Sequence, residues 1–112
     1  MNAEELRDVA INALDDLKGR EISCLHVSDM TTIADYMIVA TGTSSRHVNS
    51  LADEVARKVK EVGGTVHGTE GKGQSEWILI DLGDVIVHVM QEDARKMYDL
   101  ESLWSMKPSE VD

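Results

Sequence analysis

Residues 77–90 read WILIDLGDVIVHVM. Two apolar, strand-forming runs are separated only by Gly83-Asp84, the spacing of a two-residue β-hairpin. Counting outward from that turn pairs Leu82 with Val85, Asp81 with Ile86, Ile80 with Val87, Leu79 with His88, Ile78 with Val89 and Trp77 with Met90. Opposed residues of an antiparallel pair share a face, so this register sorts the hairpin into two sides. Ile78, Ile80, Leu82, Val85, Val87 and Val89 form a wholly aliphatic side that reads as core. Trp77, Leu79, Asp81, Ile86, His88 and Met90 form a mixed one. A fully buried face would have to satisfy both Asp81 and His88. Either a helix covers the mixed face and these groups find local partners, or it is partly open and binds another protein. Interfaces favour Trp, Tyr and Met anchors, which this side supplies.

Working outward, Glu4 to Lys18 carries Leu6, Val9, Ala10, Ala13, Leu14 and Leu17 at helical spacing. Gly19, flanked by Lys18 and Arg20, suits its C-terminal cap. Ile22 to Val27 reads as a strand, Ser28 to Ala34 as a polar connection, and Tyr36 to Thr41 as a second strand. Ser45 to Val62 is a helix with Val48, Leu51, Ala52, Val55, Val59 and Val62 along one stripe, ended by Gly63-Gly64. Thr65 to Thr69 predicts a third strand, Gly71 to Ser75 a flexible loop, and Glu92 to Trp104 a last helix. The expected fold is α/β: a mixed sheet of about five strands with packed helices, in one domain spanning 1–105 with a flexible tail at 106–112.

The chain has 112 residues and a net charge of −10, with 21 acids against 11 bases. Nucleic-acid binders present a basic face, because phosphate contacts supply much of their affinity. No lysine-arginine cluster occurs here, so direct DNA or RNA binding is not expected. Acidity serves solubility first, and it also suits a basic protein partner. The N-terminal segment MNAEELRDVAINALDDLKG has acids where a signal peptide carries bases, and no run is long enough to span a bilayer. Membrane association is not expected. The single cysteine, Cys24, sits in an apolar run and reads as a buried small hydrophobe. Together these features suit a reducing, cytoplasmic setting.

Between the second strand and the long helix lies ATGTSSRHV, residues 40–48. A glycine, several hydroxyls and free N–H groups at a helix start make an anion-binding arrangement. The segment lacks the spacing of the common phosphate loops. It resembles the Gly-Ser turn of nucleotidyltransferases, which also need paired carboxylates on a neighbouring strand for magnesium. This chain has Asp81 and Asp84 straddling a turn instead. Hydroxyls before a helix are commonly N-caps, each worth about 1 kcal/mol. Ser44, Ser45, His47 and Asp35 are close in sequence, but a triad is defined by geometry, and no G-x-S-x-G pattern occurs. The histidines His26, His47, His67 and His88 do not fall at metal-ligand spacing, so no metal site is expected. Arg46 and His47 stand at the positive end of the helix dipole, an unfavourable place for cations. Either an acid of this chain compensates, or they reach an outside partner.

Four blocks add up to a family: ATGTSSRHV, Glu70-Gly71 ahead of Trp77, WILIDLGDVIVHVM, and the ending YDLESLW. Their order and spacing, over roughly residues 3 to 105, resemble the ribosomal silencing factor family, also called Iojap-related. The resemblance implies a mixed α/β sheet related to nucleotidyltransferases, without catalysis and without a cofactor. It implies binding to the large ribosomal subunit at ribosomal protein L-fourteen, obstruction of small-subunit joining, and lowered translation when nutrients are short. Organelle relatives are tied to large-subunit assembly. The alternative is a nucleotide-binding or vestigial nucleotidyltransferase-like domain. The face analysis, separately, assigns the docking surface to Trp77, Leu79, Asp81, His88 and Met90, with Tyr98, Asp99, Glu101 and Trp104 nearby. Arg46 and His47 form a weaker second set, and a homodimer stays open.

Overall fold

The computed structural model describes residues 1–73 and 76–105, without the side chains of Trp104 and Ser105. The tail 106–112 lies outside the described residues. In chain order the elements are α1 (Ala3–Asp16), β1 (Arg20–His26), β2 (Tyr36–Gly42), α2 (Ser45–Glu61), β3 (Gly68–Glu70), β4 (Trp77–Asp81), β5 (Val85–Gln91), α3 (Glu92–Tyr98) and α4 (Leu100–Ser105). The five strands form one sheet in the order β1-β2-β5-β4-β3. Only β2 and β5 run parallel; the other neighbours are antiparallel. The sheet is therefore mixed and five-stranded, as the sequence predicts.

The β4–β5 register matches the count from the turn at every position from Trp77↔Met90 to Asp81↔Ile86. Gly83 takes φ +89, a conformation that suits glycine, and the Asp81 carboxylate accepts its N–H at 2.8 Å. The aliphatic side of the hairpin is buried throughout and packs under α1 and α2. Burial of each such side chain is worth about 1.5–3 kcal/mol, so this layer carries the stability of the domain.

Both long helices end in the same hydrogen-bond motif. In α2, Gly63 is left-handed (φ +86), and Gly64 N–H reaches Val59 O at 2.8 Å. In α1 the left-handed residue is Lys18 (φ 61), one place before the expected Gly19. Gly19 N–H instead closes on Leu14 O at 2.8 Å. A Cβ there would meet that same oxygen at 3.0 Å, so Gly19 serves close approach rather than handedness.

Other boundaries also differ from expectation. The segment 92–104 is two helices, broken at Asp99, whose φ 44 and ψ 52 turn the chain. Asp tolerates that conformation, which hydrophobic periodicity does not encode. The third strand covers only Gly68–Glu70, exposed on the sheet edge. The start of the supposedly flexible loop is pinned. Asn49 on α2 exchanges two hydrogen bonds with the Gly73 backbone (3.0 and 2.9 Å), and Lys72 pairs with Asp53. Cys24 is exposed on the edge strand β1 rather than buried.

Candidate docking face

The opposite sheet surface has a thinner cover. Val27, Met37, Val39, Met90 and Ala94 make a second small core beneath α3, with Leu25, Trp77 and Leu100 packed around it. This placement corrects one expectation: Met90 is fully buried, so it is floor under α3 and not a docking contact. The rest of the mixed face is only partly covered. Trp77, Leu79, Asp81 and Ile86 are each half-buried.

Three of the expected residues form one cluster. The Trp77 indole N–H donates to His88 Nδ1 at 2.9 Å. On its flank Trp77 packs against Tyr98 with ring centroids 4.7 Å apart. His88 is 7% exposed, and burial pushes its pKa down to about 4, so the ring is neutral and serves as acceptor. Tyr98 stays 52% exposed, and Asp99 beside it is exposed. Asp81 is held by the turn it caps, a local partner for a half-buried carboxylate. Trp104 lies in α4, and its side chain is outside the described residues.

Between the sheet and the connection after β1 runs an apolar groove of about 220 Å³. Leu79, Ile86 and His88 line it from the hairpin, Met37 from β2, Leu100 from α4, and Val27, Thr31, Ile33 and Ala34 from the connection. Sequence reasoning missed this last wall by treating residues 28–34 as merely polar. Met30 and Thr31 N–H groups fold back on Val27 O (2.9 and 3.0 Å), and Thr31 Oγ1 accepts Ile33 N–H at 3.1 Å. That turn leaves Ile33 on the rim, 72% exposed. An isoleucine between Thr32 and Ala34, ahead of a strand, was the available signal.

Glu101 has a structural role. Arg95, with 11% of its side chain exposed, donates to Glu101 Oε1 at 2.8 Å and to Thr41 Oγ1 at 2.8 Å. Ser23 Oγ donates to the other Glu101 oxygen at 2.7 Å. The Arg95 guanidinium holds the Glu101 carboxyl below the usual glutamate range, opposed by partial burial and aided by Ser23. This network latches α4 onto β1 and β2, and so fixes Leu100 as one wall of the groove.

The turn from β2 into α2 is packed and capped from within the chain. Gly42 is there for packing: a Cβ would lie 2.7 Å from Val48 Cγ2 and 3.0 Å from Val48 N. Ser44 is the N-cap, accepting His47 N–H at 3.1 Å. His47 Nδ1 accepts Thr43 N–H at 2.9 Å, and Nε2 lies 2.8 Å from Leu17 O. The ring thus clamps the start of α2 to the end of α1, with both of its nitrogens engaged inside the chain. Arg46 is exposed and forms no ion pair among the described residues. The neighbouring cavity, about 390 Å³, is lined by Thr41, Gly42, Thr43 and Gln91 together with three acids, Glu21, Glu92 and Asp93, and one base, Arg20. Among the described residues no three His, Cys, Asp or Glu are placed to hold a metal, and no helix is long and apolar enough to cross a membrane.

Fold and face together define the class: a small α/β domain with one grooved, half-apolar sheet surface shaped by a second helical layer. Residues 1–112 match the family model described as ribosomal silencing factor during starvation. A relative from Chromobacterium violaceum named ribosomal silencing factor RsfS is 47% identical over 110 residues, covering 97% of this chain and 90% of its own length. The crystal structure of a Chromobacterium violaceum protein superposes with a TM-score of 0.92 at 46% identity, covering 100% of this chain and 94% of that one. A more distant relative from Mus musculus, named mitochondrial assembly of ribosomal large subunit protein 1, is 26% identical over 103 residues, spanning 89% of this chain and 45% of its own length. The chain belongs to the ribosomal silencing factor family, as its four sequence blocks indicate.

Proposed function

We propose that the protein binds the large ribosomal subunit at ribosomal protein L-fourteen and blocks small-subunit joining by occupying that surface, lowering translation when nutrients are short. The observation that carries this reading is the half-open mixed face, where Trp77, Tyr98 and the groove lie beside aspartates. Ribosomal proteins are basic, so an acidic partner gains attraction toward them and is repelled by bare RNA. A specific interface buries about 800 Å² per partner. That area is a modest part of the 6542 Å² surface of this chain. The ribosomal silencing factor relatives support the ribosomal setting, and the mouse relative, named for assembly of the ribosomal large subunit, supports the large subunit. Blocking by exclusion needs neither catalysis nor an energy source. The working location is the cytoplasm, with the ribosomes.

The test is co-sedimentation with separated large subunits, alongside titration of purified ribosomal protein L-fourteen. The wild-type chain should pellet with large subunits and bind L-fourteen directly. Trp77→Ala and Asp81→Lys, confirmed as folded by their circular dichroism, should bind more weakly. Unchanged binding by both variants would move the docking surface elsewhere, and absence of wild-type binding would end the reading.

A further inference from the structure

We propose that the groove between the 27–34 connection and β5 receives a single leucine- or phenylalanine-sized side chain from a protein segment whose flanking residues are lysine or arginine. The proposal rests on the reading that this face docks a protein, and it names the chemistry of the partner's anchor. Size comes first. An enclosed apolar cavity of about 150 Å³ accommodates benzene. The groove, at about 220 Å³, has room for one such side chain and not for two. Its walls include the side chains of Leu79, Ile86, Met37 and Leu100, which offer dispersion contacts; the polar side chains among its lining are His88 and Thr31, and Thr31 Oγ1 already accepts the Ile33 N–H. His88 is already engaged by Trp77, so the groove has little to offer a polar anchor.

Charge sets the flanks. The two stretches that build the groove, residues 27–37 and 79–88, contain Asp29, Asp35, Asp81 and Asp84 and no lysine or arginine. Asp99 adjoins Leu100 on the remaining wall. The nearest cations of the helical layer are spent within the chain, Arg95 on Glu101 and Lys96 on Glu92. An apolar anchor carried between acids would meet like charge from these stretches, whereas one carried between lysines or arginines would meet opposite charge. Ile33, exposed on the rim, is placed to close over the anchor.

The experiment uses the full chain, isotope-labelled, with three blocked peptides as probes: phenylalanine between lysines, serine between lysines, and phenylalanine between glutamates. The first should shift the amides of Ile33, Leu79 and Ile86, and the other two should not. In parallel, Ile33→Glu and the pair Asp29→Lys with Asp84→Lys should each weaken binding to separated large subunits roughly tenfold. Val62→Glu, at an exposed site beyond the far end of α2, should leave it unchanged. Equal response to all three peptides, or no response, would overturn the proposal. So would subunit binding that survives Ile33→Glu while the wild type binds, which would leave the ribosomal reading standing. Peptide selectivity without subunit binding would keep the groove and remove the ribosome. If Ile33→Glu instead turns a dimer into a monomer in sedimentation equilibrium while the peptides do nothing, a second copy is the occupant and the proposal falls.

Discussion

Replacing Arg95 with methionine should destabilise the protein by about 2 kcal/mol, and a double-mutant cycle with Glu101→Gln should assign about 1 kcal/mol of that to the pair itself. The geometry sets these sizes. Exposed ion pairs are worth about 0–1 kcal/mol, and breaking a fully buried one costs about 3–5 kcal/mol. Here the side chains are 11% and 33% exposed, between those limits. Methionine would fill the space of the arginine stem but leave Thr41 Oγ1, nearly buried, without its donor, and Glu101 with Ser23 alone. For a domain near this size, each kcal/mol lowers Tm by about 4 °C. Urea unfolding of the wild type, both single variants and the double variant gives the cycle. Hydrogen exchange at α4 amides shows whether the loss is local. The carboxyl of Glu101 is held below its ordinary range in the folded state, so the unfolded chain takes up that proton first as pH falls. The contribution of the latch is therefore complete above the usual glutamate pKa of 4.5 and lost as pH drops through the lowered folded value. A coupling below about 0.3 kcal/mol at pH 7 would refute the latch, because additivity of that quality marks independent sites.

Three further outcomes follow from particular side chains. His88 is ordinarily protonated below pH 6.5 but resists to about 4 in the fold, so stability should fall with acid across that window, by at most about 1.4 kcal/mol per pH unit; His88→Gln, which keeps an acceptor for Trp77, should flatten urea midpoints measured between pH 7 and 5. Gly42→Ala should cost about 1–3 kcal/mol by overpacking against the Val48 backbone, read as a lowered thermal midpoint. Ser44→Ala should cost about 1 kcal/mol through the lost cap, and a thermal shift under a degree would contradict the capping role.

How much of this was legible beforehand depended on the kind of signal. The hairpin register was, because a two-residue turn leaves one pairing and the period of two then sorts every side chain. The helices α1 and α2 were, because their apolar stripes are long. The Asp99 break was not, since one left-handed residue between two amphipathic turns leaves the periodicity intact. Burial of Met90 depended on where α3 lands, and exposure of Cys24 on β1 being an edge strand of the sheet. Both are tertiary facts with no local mark. The site was half legible: Trp77, His88 and Tyr98 do meet, but the groove needed Ile33, whose exposure comes from the hydrogen bonds of a short turn. Arg46 and His47 looked alike in sequence. Only the hydrogen bonds of the imidazole to Thr43 and Leu17 show that His47 is engaged within the chain, whereas Arg46 is exposed.

The most direct test of the central claim is a subunit-joining measurement. Purified small and large subunits are mixed at a magnesium concentration that supports association, with and without the protein, and resolved on a sucrose gradient. The account predicts that the joined peak shrinks as the protein is added, that the protein migrates with free large subunits, and that Trp77→Ala relieves the effect. A joined peak of unchanged size, with the protein bound to it or absent from every ribosomal fraction, would contradict the account.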